Sequence, residues 1–138
     1  MHLLGDNPML PEVAEGSVRW LAASEINTIE GLPPELRSEL ELGAEGSPVV
    51  AALEDGRPVA FCYAASRTEG LWDIAIDTLA GHRRRGHAAR CVSYMIEHMK
   101  PLRPVWGAEE TNAASLGLAA RLGFVPVDEL IVFHPPRN

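Results

Sequence analysis

The apolar residues change from a strand-like to a helix-like period part-way along the chain. In the first part, two apolar runs, 48–53 and 58–65, are separated by a four-residue link that contains Asp55-Gly56. Asp-Gly between two apolar runs is typical of a tight β-hairpin. Residues 71–78 then alternate in side-chain type, and we expect them to form the third strand of one antiparallel meander.

Downstream of Gly86 the apolar positions recur with a helical period. This spacing predicts a helix packed on a sheet, ending at Lys100-Pro101. An alanine-rich helix is predicted over 112–122, with Gly123 as its left-handed cap. The apolar stripe of the first of these helices consists of Ala88, Cys91, Val92, Met95, Ile96 and Met99. Short strands are predicted at 104–108, 124–127 and 130–133.

The N-terminal third has the weakest pattern. Residues 1–16 contain several prolines and glycines and favour poor order, whereas Val18–Ala22 predicts a first strand. Between Ser24 and about Leu42, Ser24 is a suitable cap for a short helix, and Pro33-Pro34 favours the start of a second one. We therefore expect a strand and two short helices ahead of the hairpin.

Composition and charge limit the class of protein. A chain of 138 residues with 46% hydrophobic and 22% charged residues has the size of one compact domain, placed at 1–138. No run approaches the roughly 18 apolar residues of a membrane helix, and no signal pattern begins the chain, so we expect a cytoplasmic protein without a membrane partner. Cys62 and Cys91 lack metal-ligand spacing, which favours buried thiols and no metal site. The net charge of −7 argues against a nucleic-acid partner.

The most informative segment runs from Thr78 to Ala88, where a predicted strand passes through a Gly- and Arg-rich loop directly into a helix. Such a loop presents free backbone N–H groups at the positive end of a helix dipole, an arrangement that suits a pyrophosphate. Gly86 permits close approach of the backbone, and Ala88 leaves room above the first helical turn. The alternative interpretation is a solvated basic turn.

Two motifs carry a resemblance to a known family. Arg83-Arg84-Arg85-Gly86-His87-Ala88 resembles the acetyl-coenzyme A loop of the GCN5-related N-acetyltransferases, Gln/Arg-x-x-Gly-x-Gly/Ala. Asn112-Ala-Ala-Ser115, followed by an apolar helix that ends in Leu122-Gly123-Phe124, resembles a later motif of the same family. The resemblance covers residues 48–134. It implies a mixed α/β fold with a mostly antiparallel central sheet, splayed between the family's fourth and fifth strands and flanked by about four helices.

The resemblance also implies how acetyl-coenzyme A (acetyl-CoA) is held. The loop amides bind the pyrophosphate, the end of the fourth strand hydrogen-bonds the pantetheine and supplies an N–H for the oxyanion, and the helix start faces the sulfur. Asn112 as a helix cap and Ser115 as a small packing residue are the alternatives. The cofactor-binding residues implied in this way are Ile76, Asp77, Thr78, Leu79, Arg83, Arg84, Arg85, Gly86, His87, Ala88, Asn112 and Ser115.

The reaction implied by the family is direct attack of a primary amine on acetyl-CoA in a ternary complex. A carboxylate normally helps to remove the proton of the amine, and Glu109 and Glu110 follow the fifth strand, although glutamates are also favoured before a helix. Many relatives protonate the departing thiolate with a tyrosine, and here that position is Ala119. Water or Ser115 remains for that role.

Ala119 keeps a second hypothesis open, in which the chain is a non-catalytic acyl-CoA-binding or sensor domain of the same fold. A nucleic-acid module built on Arg83–Arg85 is a third, opposed by the acidic charge. The acceptor, a small-molecule or peptide amine, cannot be identified from the sequence. Dimerisation through the C-terminal strands is common in the family and stays open here.

Overall fold

The computed structural model of the chain describes residues 2–6, 8–107 and 113–126. The predictions made for Glu109, Glu110 and Asn112, and for a strand over 130–133, lie outside these residues.

The described residues form one seven-stranded sheet in the order β2-β3-β4-β5-β6-β1-β7, with four helices. Every strand pair is antiparallel except β5 with β6. The mixed α/β class with a mostly antiparallel sheet is therefore confirmed. The strands are β1 His2–Leu4, β2 Val18–Leu21, β3 Val49–Glu54, β4 Arg57–Arg67, β5 Leu71–Thr78, β6 Arg103–Trp106 and β7 Phe124–Pro126. The helices are α1 Ala23–Ile26, α2 Pro34–Gly46, α3 His87–Met99 and α4 Ala113–Leu122.

The predicted hairpin joins β3 to β4 through two residues. Asp55 and Gly56 both have positive φ, 53° and 79°, as a two-residue turn between twisted strands requires. Glu54 is consequently the last residue of β3 and is opposite Arg57 in the register.

The sheet has an apolar layer on each face. One layer packs β4 and β5 against α3 and α4 and includes the fully buried Trp72 and Met95. The other packs the sheet against α1, α2 and the chain between them, and includes Ile26, Leu40 and Phe61. We call the second side the α1–α2 face.

The sheet opens along one edge of β5. Parallel pairing of β5 with β6 extends only from Leu71 opposite Arg103 to Asp73 opposite Val105. On its other side β5 stays paired with β4 as far as Thr78, opposite Ala60. Among the described residues no strand pairs with the second edge of β5 beyond Asp73. The splay expected between the fourth and fifth strands of the family, here β5 and β6, is thus present.

The N-terminal region differs from expectation. His2–Leu4 forms a strand between β6 and β7, and beyond it the Gly5 N–H donates to the Gly123 carbonyl at 2.9 Å. The expectation of poor order therefore fails for these residues, because pairing with distant strands outweighs a weak local pattern. Ser24 is not a cap. The cap of α1 is Ala22, whose N–H donates to the Glu25 carboxylate at 2.9 Å.

Candidate active site

The loop between β5 and α3, residues 79–86, has an ordered conformation; we call it the β5–α3 loop. Leu79 donates its N–H to the Val59 carbonyl at 2.8 Å, and His82 donates to the Leu79 carbonyl at 3.1 Å. Arg84 and Gly86 both have left-handed backbone angles, φ 64° and 81°, and Gly86 is the cap of α3. The first turn of α3 therefore begins without a capping side chain, so its N–H groups face away from the helix toward the loop.

The Leu79–Val59 bond fixes which backbone groups of β5 face the open edge. In antiparallel pairing, alternate residues direct both N–H and C=O to the same neighbour, so Leu79 and Asp77 are bonded to β4. Ile76 and Thr78 then direct their backbone groups to the opposite edge, which is open. Of the segment 76–79, which is predicted to meet the pantetheine, Ile76 and Thr78 thus have backbone groups that face the gap between β5 and β6, whereas Asp77 and Leu79 do not.

The three consecutive arginines point in different directions. Arg83 donates from Nε to the Thr78 carbonyl at 3.4 Å, whereas Arg85 donates from Nη1 to Glu54 Oε2 at 2.7 Å. Arg84 is exposed. The three side chains therefore do not converge on one point.

Glu54 is a site residue that the sequence did not suggest. In addition to Arg85, its carboxylate receives His82 Nδ1 at 2.9 Å and His87 Nε2 at 2.8 Å. The hydrogen bond from His87, followed by that from Arg85, lowers the pKa of Glu54 to about 2, so the group is ionised at any physiological pH. One carboxylate thus holds both the loop and the first residue of α3.

His87 is almost completely buried, with 7% of its side chain exposed. Its Nδ1 faces Arg90 Nη2, which can only donate. The contacts of the ring therefore suit a neutral imidazole with its proton on Nε2, donating to Glu54 and accepting from Arg90. The side chain of His87 is engaged inside the protein, which leaves its backbone N–H as the group available to a ligand.

Asp77 projects from β5 on the α1–α2 face. Ala75 and Leu79, two residues before and after Asp77, point to the same side of the sheet and pack into the core layer of that face. Ile76 packs toward α3 on the other side. Burial raises the pKa of Asp77, and the negative charge of Glu39 on α2 raises it further. Asp77 is therefore a stronger proton acceptor than an ordinary aspartate, a property typical of catalytic carboxylates. The sequence pointed to Asp77 only through its neighbours on β5.

A groove of about 850 Å³ lies on the α1–α2 face between the start of α2, the β3–β4 hairpin and the end of β5. Its lining is strongly acidic. Of the described residues, the lining carboxylates are Glu30, Glu35, Glu39, Glu54, Asp55 and Asp77, and the lining arginines are Arg57 and Arg83. The groove therefore favours cationic ligands.

On the other side of the gap, α4 is tied to β6 through Ser115. Trp106 donates its indole N–H to Ser115 Oγ at 2.9 Å. Ala119, at the position of the family's tyrosine, is fully buried in the core layer beneath α4. Tyr63 lies under α2, and Tyr94 packs edge-on against Trp20 at 5.3 Å. Neither tyrosine replaces the family's general acid by position.

The chain is similar to several known proteins. The chain is 32% identical over 122 residues to the L-2,4-diaminobutyric acid acetyltransferase of Streptomyces avermitilis, a match that covers 81% of this chain and 64% of the relative. A putative acetyltransferase from the GNAT family of Novosphingobium aromaticivorans superposes with a TM-score of 0.71 at 22% identity, covering 91% of this chain and 58% of that one. The aminoglycoside N-acetyltransferase AAC(6')-Iy in complex with CoA gives 0.64 at 19% identity, covering 88% and 99%.

The chain thus spans less than two thirds of the length of the diaminobutyric acid acetyltransferase that it matches. The two solved structures are similar to this chain in fold. A family model described as GNAT acetyltransferase matches residues 45–133, which include the hairpin, the open edge of β5, the β5–α3 loop and α4. Since this match extends over well over half of the 138 residues, the chain belongs to the GNAT acetyltransferase family.

Proposed function

We propose that this chain is an N-acetyltransferase that moves an acetyl group from acetyl-CoA to a primary amine by direct attack in a ternary complex. The observation that carries the proposal is the open edge of β5, with an anion-suited loop at its end and the acidic groove beside it. A donor along the edge and a cationic acceptor in the groove would meet at the end of β5.

The residues at the gap fit a coenzyme A molecule. The backbone N–H groups from Arg84 to Ala88 would bind the pyrophosphate at the start of α3, where Gly86 has no side chain to obstruct it. The backbone groups of Ile76 and Thr78 at the open edge would hydrogen-bond the pantetheine amides. Acetyl-CoA supplies the activated acetyl thioester.

In the groove, Asp77 would accept a proton from the incoming ammonium group, directly or through water, which makes the amine nucleophilic. The amine nitrogen then bonds to the acetyl carbon while the carbon–sulfur bond breaks, and the proton that remains on nitrogen in excess leaves through water. A backbone N–H at the open edge, from Ile76 or Thr78, would stabilise the negative charge that develops on the carbonyl oxygen. We assign the base to Asp77 because its charge lies in the groove. Glu109 and Glu110 remain candidates outside the described residues.

The departing thiolate requires a proton. The free thiol has a pKa of about 8.5 on the cysteine scale, so water suffices as the proton donor, with Ser115 on α4 as a second candidate. Ala119 has no proton to donate, and it is fully buried.

For the acceptor, we propose a small amine with a second positive charge. Among the residues that the structure describes, the groove lining has six carboxylates and two arginines, and the relative of 32% identity is named for a diamino acid. A second amino group would be retained by the groove while the first is acetylated.

The assay is release of free thiol from acetyl-CoA with a panel of amines: 2,4-diaminobutyrate, lysine, a polyamine, an aminoglycoside and a peptide with a free N-terminus. Turnover with at least one amine, with the acetyl group located on nitrogen by mass spectrometry, is expected. Saturable CoA binding by calorimetry without turnover on any amine would favour the acyl-CoA-binding alternative. Absence of CoA binding would contradict both.

A further inference from the structure

We propose that Glu54 is the positioning residue of the coenzyme A site, holding the β5–α3 loop in the shape that binds the pyrophosphate. The inference rests on the proposed function, since it concerns how the same site is built. Glu54 belongs to another strand and lies 33 residues from His87 in the sequence, so its contacts with the loop are tertiary contacts.

The three donors to Glu54 are spread along the loop. His82 lies near its start, Arg85 near its end, and His87 is the first residue of α3. Because all three meet one carboxylate within 2.9 Å, the distance between the two ends of the loop is fixed. The backbone between His82 and His87 is therefore held against Glu54 at both of its ends.

His87 passes this restraint to the backbone. It is bonded to Glu54 through Nε2 and to Arg90 through Nδ1, and Arg90 Nη1 lies 3.5 Å from the Arg85 carbonyl. Glu54, His87 and Arg90 thus form a chain of contacts that ends on the peptide groups of the loop itself.

The loop needs such a restraint because its backbone is strained. Arg84 is a non-glycine residue with φ 64°, a conformation that costs roughly 1 kcal/mol. Strained conformations persist where the surrounding contacts over-determine them. The Arg84 side chain is exposed, so the restraint has to come from its neighbours, and Arg85 is bound to Glu54.

Electrostatics separate Glu54 from the other acids of the groove. Its carboxylate is occupied by Arg85 and two histidines, and only 23% of its side chain is exposed. A cationic acceptor in the groove therefore meets a carboxylate whose charge is already compensated. Loss of Glu54 should therefore weaken the donor site more than the acceptor site.

The test uses Glu54→Gln, which keeps the shape but removes the charge. The matched control is Glu97→Gln on α3, whose carboxylate pairs with Lys100 at 3.1 Å on the surface. We measure the Kd for CoA by calorimetry, and kcat and both KM values at saturating co-substrate. Because hydrogen bonds to charged groups are being lost, the Kd for CoA should rise about tenfold or more in Glu54→Gln. It should stay within about twofold in the control. The KM of acetyl-CoA should rise with the Kd, by a larger factor than the KM of the acceptor.

An unchanged Kd for CoA in Glu54→Gln would overturn the inference while the proposed function stands, and so would a rise confined to the KM of the acceptor. A wild-type chain that does not bind CoA would end both proposals.

If Glu54→Gln folds poorly by circular dichroism, His82→Ala replaces it. This variant removes one hydrogen-bond partner of Glu54, and the His82 side chain that is lost is one-third exposed. It should weaken CoA binding by about threefold, roughly 0.7 kcal/mol. An unchanged Kd for CoA would again overturn the inference.

Discussion

Gly43 of α2 lies directly on the ring of Tyr63 in β4. A Cβ atom at Gly43 would be 2.5 Å from Tyr63 Cδ2 and 2.6 Å from Cε2, closer than two carbon atoms approach. The glycine therefore sets how near α2 lies to the sheet. Because Glu35 and Glu39 of the same helix line the acidic groove, this contact also sets the width of the groove.

Gly43→Ala should consequently lift α2 or displace the Tyr63 ring. Overpacking of a core typically costs about 1–3 kcal/mol, part of which the better helix propensity of alanine offsets. We expect a net loss of about 1 kcal/mol in urea unfolding, a raised KM for the amine and an unchanged Kd for CoA. The control is Gly46→Ala in the same helix, where a Cβ meets nothing within 4 Å and stability should not fall. Equal stability of the two variants would contradict the prediction.

Asp77→Asn should lower activity and raise stability together. Removal of a general base typically costs about 10²-fold in kcat. Burial, followed by repulsion from Glu39, raises the pKa of Asp77 above its ordinary value, so its charge opposes folding at neutral pH. The neutral amide of the Asp77→Asn variant should therefore raise Tm at pH 7, measured by scanning fluorimetry. The control is Asp73→Asn, on the same face of β5, where Asp73 is exposed and bonded to Ser66. A fall in both kcat and Tm would indicate a structural role for Asp77.

The pH dependence of Asp77 has a defined sign. As the pH falls through its raised pKa, the carboxylate takes up a proton in the folded state before it would in the unfolded chain. The destabilisation by its charge is therefore present above this pKa and disappears below it. The Tm advantage of Asp77→Asn should shrink as the pH falls toward about 4, the ordinary range of an aspartate, and kcat of the wild type should fall over the same range. A constant Tm difference across pH would contradict this assignment.

The predictable parts of the fold are those that local sequence determines. Asp55-Gly56 supplies both left-handed residues of the hairpin turn, and the apolar stripe of α3 ends at Met99, as predicted. The β5–α3 loop is predictable because a glycine that follows three arginines and precedes a helical pattern is a local sequence feature. These features require no knowledge of which strands are neighbours.

The parts that the sequence did not predict depend on partners distant in the chain. His2–Leu4 becomes a strand only because β6 and β7 lie on either side of it. Glu54 becomes a site residue because the hairpin register brings it to His87. The shifted pKa of Asp77 depends on burial and on Glu39 of α2, whose position over β5 no local pattern gives.

Gly86→Ala, compared with a control glycine, should distinguish a loss of stability caused by backbone strain from a loss of CoA binding. Gly86 has φ 81°, which costs an alanine roughly 1–2 kcal/mol, and a Cβ there would lie 3.1 Å from Arg90 Nη1. The control is Gly16→Ala, with a similar φ of 84° and nothing within 4 Å of its Cβ. Both variants should lose stability in urea, but only Gly86→Ala should weaken CoA binding, by about tenfold or more if the loop shifts. Normal CoA affinity in Gly86→Ala would show that this glycine does not border the pyrophosphate.

Acid titration should reveal the contribution of Glu54 to stability. Its pKa is about 2 in the folded state against 4.5 for an ordinary glutamate, principally because of the hydrogen bond from His87. A lowered pKa in the folded state means that the contribution is complete above about pH 4.5 and is lost as the pH falls toward 2. Wild type should therefore be more stable than Glu54→Gln at pH 7 in urea unfolding, and the difference should narrow below about pH 4.5. Glu97→Gln, which removes an exposed carboxylate paired with Lys100, should change stability little at pH 7. A difference between wild type and Glu54→Gln that persists unchanged at low pH would mean that shape, and not charge, accounts for the role of Glu54.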